Sequence, residues 1–344
     1  MTTVHITSFF EEEYVRRIRE VDERLQVLYR EDLVPPPRWP GDHAGPEEWE
    51  RTPEGDEEFL AMLGEAEVLY DFPRGHVEDL VEVAPRLRWV QGSMAGAGEV
   101  AQKAGLGETD IVVTTAGGVY SGPLAEFVLM AMLQYAKELD HLRRDKTEKI
   151  WRQGAVGSLE NKTLCVLGMG SIGRAIATRA RPFGMRIIGV KRTVREDDEA
   201  WDYADDLYPT AELHAALGEA DYVAVTLPGT PETRRLLDAG TIAEIKQGAY
   251  FANVGRGSVV DEAALVEALQ GGHLSGAALD VFEVEPLPEE SPLWELDNVI
   301  VSAHTTDVVP ALINAAQTDL FCENLRRYLA GEELLNVLDK RLLY

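Results

Sequence analysis

The fold is decided by KTLCVLGMGSIGRAIATRARPFGMRIIGVKR, residues 162–192. An apolar run that suits a buried strand leads into GMGSIG, and a stretch with helical spacing leads on to a second apolar run. A GxGxxG pattern between a strand and a helix is typical of a dinucleotide-binding unit. In such a unit Gly168 makes the tight turn, Gly170 lets a pyrophosphate approach the backbone, and Gly173 lets helix and strand pack closely. The stretch therefore predicts a cofactor site at residues 168–173.

Strand and helix patterns alternate on both sides of this stretch, which argues for parallel sheets. Residues 34–56, rich in Pro, Gly and acid, read as a long surface loop. Residues 122–146 read as one long helix, and residues 307–332 as a closing helix that returns to the first domain. The predicted strands are VHITS, LQVLYR, EVLYDF, RLRWVQG and DIVVTTA before the stretch, and YVAVTL, AYFANV, LSGAALDV and VIVSA after it. The predicted helices between the early strands are EEEYVRRIREV, DEEFLAMLGEA and VEDLVEVA.

Composition bounds the class of protein. The chain has 344 residues, enough for two domains, and its net charge of −27 argues against binding to nucleic acid or anionic membranes. No apolar run reaches the ~18 residues of a membrane span. The N-terminus reads as a strand running into a helix, so we expect a cytoplasmic protein. Cys165 and Cys322 provide neither a disulfide framework nor a metal cluster, and we expect no metal site.

Three polar residues downstream carry the chemistry: Arg256 in NVGRGSVVDE (253–262), Glu285 in ALDVFEVEPLP (278–288) and His304 in VSAHTT (301–306). Arg is a permanently charged donor fork that can hold a carboxylate and polarise the neighbouring carbonyl. His can give a proton to a developing alkoxide, and Glu can hydrogen-bond the second imidazole nitrogen and fix its orientation. Singly, each is more often a surface cation, a loop charge or a turn residue. Together they are the parts needed to reduce a 2-oxo acid.

From about Val90 onward the chain resembles the D-isomer-specific 2-hydroxyacid dehydrogenase family. The motifs that carry the resemblance occur in family order: VLGMGSIGRAIATRARPFGM (166–185), LPGTPETRRLL (227–237), the Arg and Glu segments, and SPLWELDNVIVSAH (291–304). The resemblance implies that Arg256 binds substrate, that His304 is the acid/base and that Glu285 is its partner. The family usually has Pro before the histidine. Here Ala303 stands there, so the backbone loses a fixed φ.

The resemblance also implies an α/β fold with two doubly wound parallel-sheet domains. A Rossmann-type cofactor domain (119–307) is inserted into a flavodoxin-like substrate domain (1–118 and 308–344). The linking helix would pack at a homodimer interface, although the sequence alone is also compatible with a core helix. The substrate carboxylate would meet backbone N–H groups of SMAGAG (93–98), at Ala95 and Gly96, because small residues let backbone approach a ligand. The implied cofactor contacts are Ser171 and Ile172 at the pyrophosphate, Leu227, Pro228 and Thr233 at the adenosine and ribose, and Val254 and Asp280 at the nicotinamide.

The end of the second strand of the dinucleotide-binding unit bears on the choice of cofactor. NAD-binding units place Asp or Glu there to accept hydrogen bonds from the ribose hydroxyls. Lys191 occupies that place, followed by Arg192 and Thr193, which would attract the 2′-phosphate of NADP. The acids of REDDEA (195–200) are expected to face solvent, with the alternative that they soften a preference for NADP. We therefore predict a preference for NADP(H), with NAD(H) possible.

These observations predict an NADP(H)-preferring D-2-hydroxyacid dehydrogenase, or 2-oxoacid reductase, that acts on a small 2-oxo or 2-hydroxy acid by hydride transfer at the 2-oxo carbon. Two alternatives stay open. One is an NAD-dependent dehydrogenase of a phosphorylated hydroxy acid, although no added basic patch for a substrate phosphate is recognisable. The other is a non-catalytic dinucleotide sensor similar to the corepressor relatives of the family, although the Arg, Glu and His set favours an enzyme.

Overall fold

The computed structural model describes residues 1–343 and divides into two compact units. Unit 1 comprises Met1–Tyr120 together with the chain from Val308 onward, and unit 2 comprises Ser121–Asp307. The first boundary lies two residues beyond the one predicted from the sequence. The later boundary, between residues 307 and 308, is where the sequence places it.

Unit 1 is built on a five-stranded parallel sheet in the order β2-β1-β3-β4-β5, the flavodoxin-like order. All five predicted strands are present, as β1 (Thr2–Ile6), β2 (Leu25–Leu28), β3 (Val68–Tyr70), β4 (Trp89–Gln91) and β5 (Val112–Thr114). The helices are α1 (Glu12–Arg19), α2 (Pro53–Glu65), α3 (Leu80–Val83) and α4 (Gly98–Lys103), with a 3-10 turn at Glu31–Leu33. Helix α2 begins within the predicted 34–56 loop, because the Thr52 hydroxyl accepts from Gly55 N–H and caps it.

Unit 2 contains a seven-stranded parallel sheet in the order β12-β11-β10-β9-β6-β7-β8. Its strands are β6 (Thr163–Leu167), β7 (Arg186–Lys191), β8 (Asp206–Pro209), β9 (Tyr222–Val225), β10 (Ala249–Asn253), β11 (Leu274–Leu279) and β12 (Val299–Val301). Its helices are α5 (Ser121–Ala136), α6 (Leu139–Glu148), α7 (Ser171–Ala180), α8 (Leu213–Glu219), α9 (Ala239–Ala243) and α10 (Glu262–Gln270). The strand order reverses between β6 and β9, so the crevice that receives a dinucleotide opens at their carboxyl ends.

The long helix predicted over 122–146 is wrong in one respect, because the structure has two helices there. Helix α5 ends at Ala136, and α6 begins at Leu139. Between them Glu138 adopts a φ of +51°, a left-handed conformation that an α-helix cannot continue. Apolar periodicity runs across this break, so the sequence pattern does not reveal it.

The closing helix, α11 (Pro310–Ala330), belongs to unit 1. It begins at Pro310, a residue well suited to the first turn, rather than at residue 307 as predicted. Its Phe321 and Leu325 are fully buried in a cluster with Val4 of β1 and Trp89 of β4. Within residues 1–343, no helix combines the length and the apolar character needed to cross a membrane.

Candidate active site

The glycine loop after β6 has the geometry that its sequence predicts. Gly168 has a φ of +103°, and a side chain there would lie 2.8 Å from the Thr226 hydroxyl. A Cβ on Gly173 would lie 2.0 Å from the Gly168 carbonyl oxygen, so α7 can pass this close to the loop only with glycine. Gly170 differs, because its Cβ would meet nothing within 4 Å. Packing within the protein therefore does not require glycine at position 170. A ligand that approaches the backbone there would explain why this residue has no side chain.

The first turn of α7 presents unused donors beside this loop. Gly170 precedes the helix without a side-chain cap, and the backbone N–H groups of Ser171 and Ile172 donate no hydrogen bond within residues 1–343. Such groups at the positive end of a ten-residue helix suit an anion. The loop and helix therefore fit the pyrophosphate of a dinucleotide.

The carboxyl end of β7 carries a charge arrangement that the sequence does not reveal. The Lys191 ammonium forms an ion pair with Asp198, whose side chain is only 9% exposed. The hydrogen bond from Lys191 is the largest of the effects that lower the pKa of Asp198 below its ordinary value. The expectation that the acids of residues 195–200 face solvent is therefore wrong for Asp198. Arg192 and Thr193 are exposed.

The loop after β9 contains the residues expected at the adenosine and ribose. The Thr233 hydroxyl donates to the Pro228 carbonyl at 2.6 Å and accepts from Thr230 N–H at 2.9 Å. Thr233 thus closes a turn that begins at Pro228, the residue after Leu227, and its hydroxyl helps to shape the loop. Leu227 and Pro228 are partly exposed, so the loop can offer them to a cofactor.

His304 and Glu285 lie side by side in unit 2. The His304 Nδ1 atom is 2.8 Å from Glu285 Oε2, and Glu285 Oε1 accepts from the backbone N–H of Phe282 at 2.9 Å. His304 has a φ of +53°, in the left-handed region that residues other than glycine seldom adopt. Its side chain is 43% exposed, so the second imidazole nitrogen can reach a substrate.

Arg256 follows β10 in a turn shaped by its neighbours. Asn253, buried at the end of the strand, donates from its amide to the Arg256 carbonyl at 3.1 Å and accepts from Gly255 N–H at 3.0 Å. Gly257 packs directly on the backbone of Phe282, since its Cβ would lie 1.9 Å from that residue's carbonyl carbon and oxygen. The Arg segment and the Glu segment are therefore in contact. Asn253 therefore shapes the turn that carries Arg256, and it was not predicted from the sequence. The feature that could have indicated it is a single amide residue at the end of the apolar strand AYFAN.

Asp280 is buried at the end of β11, at 1% exposure. Its Oδ1 accepts from the backbone N–H groups of Thr305 and Thr306 at 3.1 and 3.3 Å, so it holds the chain that follows His304. The Thr306 hydroxyl is buried and has no hydrogen-bond partner within the described residues. This Thr306 hydroxyl and the Asp280 carboxylate are polar groups that fit a nicotinamide carboxamide. Val254 is buried directly after the adjacent strand β10.

Asp307 adds a second carboxyl group to this end of the unit. Burial, reinforced by the negative charge of Asp280, raises the pKa of Asp307 above its ordinary value, and the nearby charges of His304 and Arg256 oppose the shift. The surroundings of Asp307 therefore favour its neutral form more than water does.

In unit 1 the loop 93–98 is held by side chains at its first residue. The Ser93 hydroxyl donates to the buried Asp71 carboxylate at 2.8 Å. The Ser93 carbonyl accepts from the Gln317 amide of α11 at 2.8 Å and from the Tyr120 hydroxyl. Further along the loop, the backbone N–H groups of Ala95 and Gly96 donate to nothing within residues 1–343. The loop is thus fixed at Ser93, and its N–H groups at Ala95 and Gly96 can bind a carboxylate.

The chain is similar to known proteins of one family. Residues 129–306 match the family described as D-isomer specific 2-hydroxyacid dehydrogenase, NAD binding domain. A glyoxylate reductase of Korarchaeum cryptofilum is 34% identical over 260 residues, which cover 74% of this chain and 76% of the relative.

Two solved structures are similar over the whole length of the chain. A D-isomer specific 2-hydroxyacid dehydrogenase of Xanthobacter autotrophicus, in complex with NADPH and MES, is 30% identical with a TM-score of 0.79, and the match covers 100% of this chain and 99% of the other. An NADPH-dependent glyoxylate/hydroxypyruvate reductase of Sinorhizobium meliloti, in complex with NADP and sulfate, is 26% identical with a TM-score of 0.76 and full coverage of both chains. The chain therefore belongs to the D-isomer specific 2-hydroxyacid dehydrogenase family of NAD(P)-dependent oxidoreductases.

Proposed function

We propose that the protein is an NADP(H)-preferring 2-oxoacid reductase, and in the reverse direction a D-2-hydroxyacid dehydrogenase. The observation that carries this proposal is the hydrogen-bonded pair of His304 and Glu285 in the same unit as Arg256, whose turn packs on the segment that leads to Glu285. An acid/base held by a carboxylate, together with a permanent cation, is what carbonyl reduction requires. A dinucleotide sensor has no need of this arrangement.

The chain's own groups divide the work as follows. Arg256 holds the substrate and polarises its 2-oxo carbonyl. In unit 1, taken by itself, the backbone N–H groups of Ala95 and Gly96 are the proposed donors to a carboxylate. His304 delivers a proton from its exposed nitrogen to the oxygen as it becomes an alkoxide, and Glu285 keeps the imidazole oriented for that transfer. When bound, the reduced nicotinamide cofactor supplies the hydride for the 2-oxo carbon.

The preference for NADP(H) is supported by the residues at the end of β7. No carboxylate stands at position 191, and Lys191, Arg192 and Thr193 offer two cations and a hydroxyl to a 2′-phosphate. Arg192→Ala should weaken the binding of NADPH much more than that of NADH. Equal effects on the two cofactors, measured by fluorescence titration, would contradict a role for Arg192 as a phosphate-binding residue.

We also propose a homodimer, supported by exposed large apolar side chains in the first part of unit 2. Trp151 is 92% exposed and Leu142 54% exposed, far more than large apolar side chains usually are in a monomer. The other exposed apolar residues of this stretch are Met130, Tyr135, Ile150 and Val156. Trp151→Glu should shift the protein from dimer to monomer in analytical ultracentrifugation. A wild-type chain that sediments as a monomer would contradict the proposal.

The activity itself is tested by steady-state oxidation of NADPH, and separately of NADH, against 2-oxo acids from glyoxylate and hydroxypyruvate to branched and aromatic members. We expect turnover with at least one of them and a higher kcat/KM with NADPH. Tight cofactor binding without turnover of any oxo acid would favour the sensor alternative instead. Turnover confined to phosphorylated acids with NAD would favour the other alternative.

A further inference from the structure

The cation that should attract a 2′-phosphate already has a counter-ion. Lys191 ends β7, and the chain returns seven residues later to place Asp198 against its ammonium. Asp198 also accepts from Ala200 N–H at 3.0 Å and so caps the 3-10 turn Glu199–Asp202. These two bonds fix the carboxylate in place. NAD-binding units carry an acid at the position that Lys191 occupies here. In this chain the acid is Asp198, which contacts Lys191 from seven residues further along.

The neighbouring acid shows the contrast. Glu199 pairs with Arg174, which follows the glycine loop, at 3.0 Å, but its side chain is 80% exposed and can swing into water. The Asp198 side chain is 9% exposed and is held by two hydrogen bonds, one from Lys191 and one from Ala200 N–H. An exposed pair is weak and screened by salt, whereas a shielded one keeps its effect. Asp198 is therefore the acid whose charge acts at the end of β7.

We propose that Asp198 is a specificity-determining residue that limits the preference for NADP(H) by neutralising Lys191, and so keeps NADH usable. The inference rests on the proposed binding of the cofactor adenosine ribose at the end of β7. A 2′-phosphate that approaches Lys191 also approaches a fixed negative charge, and the repulsion offsets part of the attraction. A ribose with free hydroxyls meets no such repulsion, and its hydroxyls can donate to a carboxylate.

The test compares Asp198→Asn with Asp197→Asn. Asp197 is the adjacent residue, is exposed, and loses the same charge in its variant, which makes it a matched control. The asparagine side chain in Asp198→Asn can still accept from Ala200 N–H, and Asp198→Ser provides a second capping variant should Asp198→Asn fold poorly. Dissociation constants for NADPH and NADH are measured by fluorescence titration at low salt, without substrate. Thermal unfolding verifies that each variant is folded.

For Asp198→Asn we expect the ratio of the NADH to the NADPH dissociation constant to rise on the order of tenfold, the size of one partly shielded charge interaction. Asp197→Asn should change that ratio less than about twofold, since exposed charges interact weakly. An unchanged ratio in Asp198→Asn, or an equal weakening of both cofactors, would overturn the inference. A wild type that prefers NADH would contradict the proposed cofactor preference alone, and a shift of the ratio in Asp198→Asn would still support the role of Asp198.

Discussion

Gly257→Ala tests whether the Arg and Glu segments must lie in direct contact. An added Cβ would be 1.9 Å from the carbonyl carbon and oxygen of Phe282 and 2.6 Å from the backbone nitrogen of Glu283. All three are backbone atoms, so no side-chain rotation can relieve the overlap. An ordinary contact of 3.4 Å would require the two segments to separate by about 1.5 Å.

Neither segment can make this movement without loss. Glu262 accepts from Glu283 N–H at 3.0 Å, and Arg235 pairs with the Glu283 carboxylate at 2.8 Å, so the Glu segment is tied down at the point of overlap. Overpacking of this kind costs about 1–3 kcal/mol of stability. A displacement of about 1 Å between reacting groups can cost on the order of 100-fold in rate. We expect both effects in Gly257→Ala.

The assay is kcat/KM for reduction of the best oxo acid, with the NADPH dissociation constant and urea unfolding measured on the same variant. Gly218→Ala is the matched control, because Gly218 lies in α8 and its Cβ would be 3.9 Å from the nearest atom, the Glu244 carbonyl oxygen. Alanine there should raise the free energy of unfolding by up to about 1 kcal/mol and leave kcat/KM unchanged. Wild-type stability and kcat/KM in Gly257→Ala would refute the reasoning.

Three further predictions concern side chains that support the site. Asn253→Ala removes one buried and one partly buried hydrogen bond of the turn that carries Arg256. It should lower the free energy of unfolding in urea by about 2–3 kcal/mol and also lower kcat/KM. An unaltered unfolding midpoint would contradict this. Gln317→Ala removes one of the hydrogen bonds to the Ser93 carbonyl. It should raise KM for the oxo acid several-fold and leave the NADPH dissociation constant unchanged. A parallel change in both constants would count against the loop 93–98 as a substrate site. Burial and the charge of Asp280 raise the pKa of Asp307 in the folded protein. The protonated acid therefore contributes stability below its unfolded pKa of about 4, and this contribution is lost as pH rises through the folded pKa. Asp307→Asn should therefore have a higher Tm than wild type at pH 8, and the difference should vanish towards pH 4; a difference independent of pH would exclude this explanation.

The parts of the molecule that could be predicted are those whose requirements are local. The glycine loop is one, because the turn at Gly168 and the close packing at Gly173 forbid any other residue and so mark the sequence. The strands are another, since buried parallel strands need short apolar runs. The exception is the edge strand β8 (Asp206–Pro209), which the sequence did not predict, because only one of its four residues is buried. The His304–Glu285 pair was expected from motifs alone, and the structure places the two side chains 2.8 Å apart.

What could not be predicted depends on residues brought together by the tertiary fold. Gln317 and Ser93 are 224 positions apart, and nothing near either residue indicates the other. Asp198 lies in a run of charges, and such a run normally marks a solvated face. Its low exposure accompanies its bonds to Lys191 at the end of β7 and to Ala200 N–H in the 3-10 turn Glu199–Asp202, which form only in the folded chain. The break at Glu138 is similar, because its left-handed conformation leaves no trace in the apolar pattern.

The central claim is that Arg256 and the Glu285–His304 pair reduce a 2-oxo acid. Its most direct test is kcat/KM for NADPH-dependent reduction in Arg256→Gln and in His304→Gln, with the NADPH dissociation constant measured alongside. We predict a loss of at least about 100-fold in each variant with nearly unchanged NADPH binding, because both side chains act on the substrate. Near-normal turnover in either variant would contradict the account.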